Sequence, residues 1–398
     1  MVSEAGTYYN TLYDMIYNAP DELRIVLLSA TPMFDKPDEI ALTMNLLRIP
    51  NELPTVREFY NTFVKIVKSS RNNKYYYKVK NMDLFKDAIR GYVSYFRGAP
   101  PFTFPEMSIR YVKCPMSDFQ YQAYKNVAKH EKRYDTKKIL EMLTVKDLPN
   151  NFYIGTRIVS NVVFPSKKIN EKGFELFKGK AITEDLHKYS PKFDRIMRKI
   201  ERGSGKIFIY SNFKEYGGIK SLVRVLEEFG YQNYLDAGEG RRRFATWTGD
   251  ESALIKEEIK TVYNNLNNLD GSKIKILIIS PSGKEGLSLT AVQAVHVLDP
   301  YWNQSRIDQI IGRASRFCSH KDVPEEKRHV KVYIYIATFP EYVDETEESV
   351  DEHISYIAEQ KNKLVREFER ALKESAIDCE LNKNANVYKG EEEINCVQ

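Results

Sequence analysis

Residues 275–320, KILIISPSGKEGLSLTAVQAVHVLDPYWNQSRIDQIIGRASRFCSH, constrain the fold of this chain more than any other run. A short apolar strand (276–279) breaks into a Ser/Gly/Lys loop, a second strand (294–298) follows, and a helix carrying Gln309, Gly312, Arg313 and Arg316 closes the run. On a helix of 3.6 residues per turn, Gln309, Arg313 and Arg316 share one face, and Gly312 leaves room beside it. Two planar, permanently charged guanidinium groups suit a polyphosphate, because each fork makes paired hydrogen bonds to phosphate oxygens. An arginine reaching the terminal phosphate stabilises charge developing during phosphoryl transfer, worth roughly a thousandfold or more in rate. A solvated basic helix face is the competing reading of the same residues.

The alternation of strand and helix extends upstream. Ser190-Pro191-Lys192 opens a helix to Arg202, a strand covers 206–210, and a helix over 214–229 stops at Gly230. A strand near 231–235, a helix over 251–266, an Asp270-Gly271 turn and a last strand at 330–337 complete the series. Strands alternating with helices imply a parallel sheet covered on both faces. Ahead of this lie a helical stretch within 1–18, an apolar strand at 25–28 ending in Ser29 and Thr31, and a helix over 37–48. Lys74-Tyr75-Tyr76-Tyr77-Lys78 reads as a solvated edge strand in preference to a base-stacking surface. From 109 a strand leads into a helix for which Ser117 and Gln120 form a capping box. Residues 132–185 carry no assignable chemistry. After an acidic linker over 341–352, a helix to Ser375 bears one apolar stripe of Ile354, Ile357, Leu364, Val365, Phe368 and Leu372.

Taken with its neighbours, the QxxGRxxR pattern of Gln309, Gly312, Arg313 and Arg316 resembles motif VI of superfamily 2 helicases, and SPSGKEGLSL resembles motif V. LLSATP (27–32) resembles motif III, IFIYSNF (207–213) motif IV, and TWTGD (246–250) the loop that follows. HVLDPYWN and SVDEHISYIAEQKN are similar to the Swi/Snf-type branch, especially the helicase-like NTPases and early transcription factors of nucleocytoplasmic large DNA viruses. The matches run in the family's order over nearly the whole chain. The resemblance implies an α/β fold: a RecA-like helicase C-terminal lobe with a parallel sheet, preceded by the tail of a first RecA-like lobe and followed by a C-terminal helix. It divides the chain into a lobe 1 remnant (1–108), an inter-lobe connection (109–188), the C-terminal lobe (189–340) and a linker, helix and polar tail (341–398).

The same resemblance assigns roles. Arg313, Arg316 and Gln309 act on ATP, while Gly283, Lys284, Glu285, Gly286 and Gly312 lie beside the nucleotide. Ser211, Asn212, Thr248, Gly249, Ser280 and Ser288 contact a nucleic-acid backbone, and Ser29 and Thr31 couple the two sites. DNA is favoured over RNA. Hydrolysis also needs a Gly-rich phosphate loop ending in Gly-Lys-Ser/Thr and a strand ending in Asp-Glu that holds Mg2+. Gly203-Ser204-Gly205-Lys206 runs into Ile207 and a strand instead of a hydroxyl and a helix, and Asp21-Glu22 follows a turn. The expectation is therefore the C-terminal part of a larger or split ATPase, inactive alone, with Mg2+ ligands mainly on the other lobe. Its expected setting is viral transcription in host cytoplasm or virion, alongside a separate lobe 1 polypeptide or a viral RNA polymerase. The alternative is a non-catalytic, DNA-binding initiation scaffold; an unrelated enzyme of phosphorylated metabolites is a third reading.

Composition adds little. The 60 basic and 55 acidic residues among 398 leave a net charge of only +5, so any electrostatic grip on a polyanion must come from local clustering. Cys114, Cys318, Cys379 and Cys396 form no CxxC pair and no zinc half-site, which suggests a reducing compartment and no structural metal. No apolar run reaches the roughly 18–20 residues of a membrane span.

Overall fold

The computed structural model describes residues 7–70, 74–96, 103–131, 153–283, 287–344, 347–386 and 393–397. Nine strands lie among them: β1 Val64–Lys68, β2 Tyr75–Val79, β3 Glu106–Pro115, β4 Lys206–Tyr210, β5 Gln232–Asn233, β6 Arg243–Trp247, β7 Ile276–Ile279, β8 Val292–Val297 and β9 His329–Thr338. β1 and β2 form an antiparallel pair. The others build a seven-stranded sheet in the order β3-β9-β8-β4-β7-β6-β5, every pair parallel.

Apolar residues on both sides of each central strand explain why the sheet is buried on both faces. β4 and β7 are buried along their whole length. On one face, Ile207, Ile209, Ile276 and Ile278 meet Phe193, Ile196 and Ile200 of the helix Pro191–Arg202 and Leu222, Val225 and Leu226 of the helix Ile219–Glu228. On the other, Phe208, Tyr210, Leu277 and Ile279 meet Ile259 and Tyr263 of Ala253–Asn264 and Ile307, Ile310 and Ile311 of Gln304–Ala314. A third core joins the amino-terminal region to the long helix Val350–Ser375, with Phe59, Phe63, Phe85 and Phe368 in mutual ring contact. That helix packs its expected stripe on its own chain, and Ser349 and Glu352 close a capping box at its start.

Several local expectations are corrected. Residues 25–28 form no strand, with Val26 79% and Leu28 92% exposed, because no neighbouring strand among the described residues offers them a ladder. The helix expected from 214 begins at Ile219: a side chain at Gly218 would sit 1.9 Å from the Phe213 carbonyl, so residues 213–218 form a tight turn. The strand near 231–235 shrinks to β5, after which Asn233 caps a short helix, Tyr234–Ala237. Ser117 does cap its helix, accepting from the Gln120 backbone amide, but Gln120 Nε2 donates to the carbonyls of Val159 and Ser160 instead of the side chain closing the box. Cys379 and Cys396 are joined in a disulfide, leaving Cys114 and Cys318 as free thiols. Residues 132–152 of the stretch without assigned chemistry lie outside the described residues; among those described, no helix is long and apolar enough to cross a membrane.

Candidate functional site

Ligands of open parallel sheets bind beyond the carboxyl ends of the strands. Four of the strands here end in polar loops at that edge: β4 in Ser211 and Asn212, β6 in Thr248 and Gly249, β7 in Ser280 and Ser282, and β8 in Asp299. Asp299 organises the first loop. It is 1% exposed and accepts from the Ser211 hydroxyl at 2.7 Å, the Asn212 amide at 2.9 Å, the Asn212 side chain, and Asn161 Nδ2 at 3.3 Å. Glu251 organises the second, accepting from Thr246 Oγ1 and the Thr248 amide at 2.6 Å and from Thr248 Oγ1 at 3.0 Å. Burial raises the Glu251 pKa, but hydrogen bonds from Thr246 and Thr248 outweigh it and hold the carboxyl below its usual range. In the third, Ser280 and Ser282 share a hydrogen bond of 2.7 Å, and Gly249 lies against Ser282.

The sequence-derived backbone contacts are thus brought to one edge, but Ser211, Thr248 and Ser280 are buried with their hydroxyls engaged inside the protein. Asn212 and Gly249 are the more accessible members. Ser288 stands apart from them, beside the arginines.

Gln304–Ala314 is capped by Asn303, whose side chain accepts from the Arg306 amide, and it buries Ile307, Ile310 and Ile311 on the sheet. Gln309 is exposed and Arg313 half-buried on this helix. Arg316 lies beyond the Ser315 cap, so the shared helical face holds for Gln309 and Arg313 only. The two arginines still converge, because both reach the chain that follows the Ser/Gly/Lys loop. Arg313 Nη1 donates to the Leu287 carbonyl at 3.2 Å and its own carbonyl accepts from the Leu289 amide at 3.0 Å. Arg316 Nη1 donates to Ser288 Oγ at 2.6 Å and Nε to the Gly312 carbonyl at 3.2 Å. Gly312 faces open space. Gly283 ends a short 3-10 turn, while Lys284, Glu285 and Gly286 lie outside the described residues. Ser29 and Thr31 are exposed, the Thr31 amide donating to Ser29 Oγ at 3.1 Å.

Sequence reading missed Asp299, although an aspartate directly after an apolar strand was the available signal, and it missed Arg157. The Arg157 guanidinium stands 4.9 Å from the Phe213 ring and 5.0 Å from that of Trp302, and Arg306 stands 4.2 Å from Tyr301, itself stacked on Trp302. Burial lowers the Arg157 pKa, opposed by the negative charge of Asp299. Among the described residues no three His, Cys, Asp or Glu side chains are placed to hold a metal ion. Lys206 buries its ammonium against the Tyr263 carbonyl at 2.8 Å, which removes it from any phosphate-binding role.

A parallel α/β sheet with polar loops at its carboxyl edge and an arginine helix docked on one of them defines a RecA-like helicase lobe, and residues 191–318 match the family described as helicase conserved C-terminal domain. The chain belongs to the ATP-dependent helicase family of large DNA viruses, sharing 49% identity over its whole length with an Acanthamoeba polyphaga mimivirus protein named as a candidate ATP-dependent RNA helicase, of which it spans 68%. A second mimivirus protein named in the same way is 28% identical, over 97% of this chain and 58% of its own. The African swine fever virus protein named termination factor NPH-I homolog is 28% identical, over 93% and 60%. Of solved structures, the C-terminal part of the Fun30 ATPase domain aligns with a TM-score of 0.41 at 16% identity, over 68% of this chain and 97% of that one. The Sulfolobus solfataricus SWI2/SNF2 ATPase core in complex with dsDNA gives 0.40 at 15%, over 72% and 51%.

Proposed function

We propose that this chain provides the second RecA-like lobe of an ATP-driven nucleic-acid translocase, DNA favoured over RNA, serving viral transcription. The observation that carries this reading is the hydrogen-bonded junction of Arg313 with Leu287 and of Arg316 with Ser288, which ties the arginine helix to the Ser/Gly/Lys loop. ATP supplies the phosphoryl group whose transfer drives motion; its phosphate loop and Asp-Glu pair are absent from these residues and belong to a facing lobe. When the lobes close, Arg316 exchanges its Ser288 contact for a phosphate oxygen and Arg313 holds the loop against the nucleotide. Gln309 keeps the helix in register with the site. The carboxyl-edge loops then move with the lobe and shift their hold on the nucleic-acid backbone, a sequence-blind grip. The exposed apolar segment 25–28 fits the edge of a sheet in the facing lobe.

The test is nucleic-acid-stimulated ATP hydrolysis by this chain and by a form extended upstream through the adjoining coding sequence. Turnover only in the extended form, lost roughly a thousandfold in Arg316→Ala while nucleic-acid binding persists, is the expected result. Turnover that survives Arg316→Ala refutes the arginine assignment. That both guanidinium groups are already engaged within the chain favours a second reading, a helicase-like scaffold that binds DNA without catalysis. Binding without turnover in either form would establish it.

A further inference from the structure

The opposite, amino-terminal edge of the sheet holds a cleft of about 1190 Å³ that the helicase reading leaves without a role. Its walls are the last two turns of Pro191–Arg202, the Gly203–Gly205 turn, and the chain entering β6, β7 and β9; its floor is Tyr333, stacked 5.2 Å from His296. Nine Lys and Arg side chains line it against three carboxylates, whereas the whole chain carries 60 against 55. Two of those carboxylates are already committed, Asp194 to Arg198 at 3.0 Å and Glu201 to Arg242 at 2.9 Å. Among the described residues no carboxylate lies within ion-pair distance of Arg195, Lys199, Arg202, Arg241, Lys327 or Lys331. Arg195, Lys199 and Arg202 recur at helical spacing, so they point the same way into the cleft. Lys199 lies 4.2 Å over the Tyr333 ring, and burial together with Arg110 and Arg195 lowers its pKa. Nine cations gathered in a recess with only three carboxylates, the third being Asp270 near Arg241, repel one another unless an anion enters.

We infer that this amino-edge cleft is a second nucleic-acid-binding site, one that takes the phosphate backbone of a single strand. Its recessed shape and aromatic floor fit a strand of a few nucleotides better than a duplex or a flat membrane, and five of the nine cations are arginines, the side chain that forks onto phosphate. The site stands independently of the carboxyl-edge reading, from which it is separated by the length of the strands.

The test is fluorescence anisotropy with a labelled oligothymidylate of about 20 nucleotides, titrated at several salt concentrations. The proteins are this chain, its Arg195→Glu/Arg202→Glu/Lys331→Glu variant, and Asn212→Ala at the carboxyl edge. All three cleft positions are exposed, so the variant should fold, which circular dichroism checks; if it does not, Arg202→Glu alone replaces it. The expected result is at least tenfold weaker binding in the cleft variant, with the slope of log affinity against log salt reduced by about two units, roughly 0.7 for each lost phosphate contact. Unchanged affinity and slope in that variant would overturn the inference, whatever Asn212→Ala does. So would wild-type binding to phosphatidylserine vesicles, but not to the oligonucleotide, that is lost in the cleft variant.

Discussion

Asp299→Ala is the most informative single change, because the carboxylate ties the first edge loop to the sheet. It accepts four hydrogen bonds. Two of the donors have a fallback: Ser211 Oγ also reaches the Phe213 carbonyl at 3.2 Å, and Asn161 Nδ2 the Gly217 carbonyl at 2.9 Å. The backbone amide and side-chain amide of Asn212 have none among the described contacts. Stranding two donors at roughly 1–3 kcal/mol each, with partial access to water for half-buried Asn212, gives a cost of about 3 kcal/mol. That corresponds to about a hundredfold faster hydrogen exchange at the Asn212 amide, measured by mass spectrometry or NMR, if the loop opens locally. Asp299→Asn keeps one acceptor oxygen and should lose about half as much. Exchange at Asn212 unchanged in Asp299→Ala would mean that the sheet, not the carboxylate, holds the loop.

Three further outcomes follow from buried groups. Lys206 is fully buried and its pKa is pushed down to about 7, so between that value and its unfolded pKa near 10.5 the unfolded chain binds the extra proton and stability rises with pH by ~1.4 kcal/mol per unit. Lys206→Met, which leaves the Tyr263 carbonyl its 3.0 Å bond from Asn268, should remove that slope from urea midpoints taken between about pH 7.5 and 9; an identical slope in both proteins would refute it. Asp351→Asn breaks the Lys192–Asp351 pair, both partners 1% exposed, and should cost about 3 kcal/mol, much of it recovered by adding Lys192→Met; additive losses in thermal unfolding would contradict a coupled pair. Phe368→Ala empties the centre of the Phe59, Phe63 and Phe85 cluster and should cost about 3–5 kcal/mol in unfolding while leaving the spectrum of the parallel sheet intact.

What was legible in the sequence had local causes. β4, β7 and β9 came from apolar-rich runs, unbroken in β7, opening on Lys206 in β4 and interrupted by Lys331 in β9, as strands largely buried on both faces require. The arginine helix came from spacing alone, but its end did not: Arg316 falls past Ser315, in a turn held by the Ser319 hydroxyl, and nothing in the helical period marks that boundary. The apolar run at 25–28 carried a strand signal with no strand to pair with, since a ladder is a property of two segments and periodicity reports on one. Asp299 and Arg157 escaped for a similar reason. Each matters because of partners far away in the chain, Ser211 and Asn161 for one, Phe213 and Trp302 for the other.

The way the edge loops are built bears on how they grip. The hydroxyls that the family resemblance nominates for nucleic-acid-backbone contact, on Ser211, Thr248 and Ser280, are spent on Asp299, Glu251 and Ser282. That leaves backbone amides, the Asn212 side chain and the exposed backbone of Gly249 to meet a ligand. A loop fixed before binding by an internal carboxylate, buried Asp299 or half-buried Glu251, loses little freedom on contact, and main-chain donors read the repeat of the phosphates without reading bases. Such a grip can be released and re-formed one step along at equal cost whatever the sequence, which is what the proposed function would need. A variant that frees a hydroxyl by removing its internal partner, Glu251→Ala for Thr248, should therefore weaken binding of an oligonucleotide in an anisotropy titration by loosening the loop, and tighter binding would refute this reasoning.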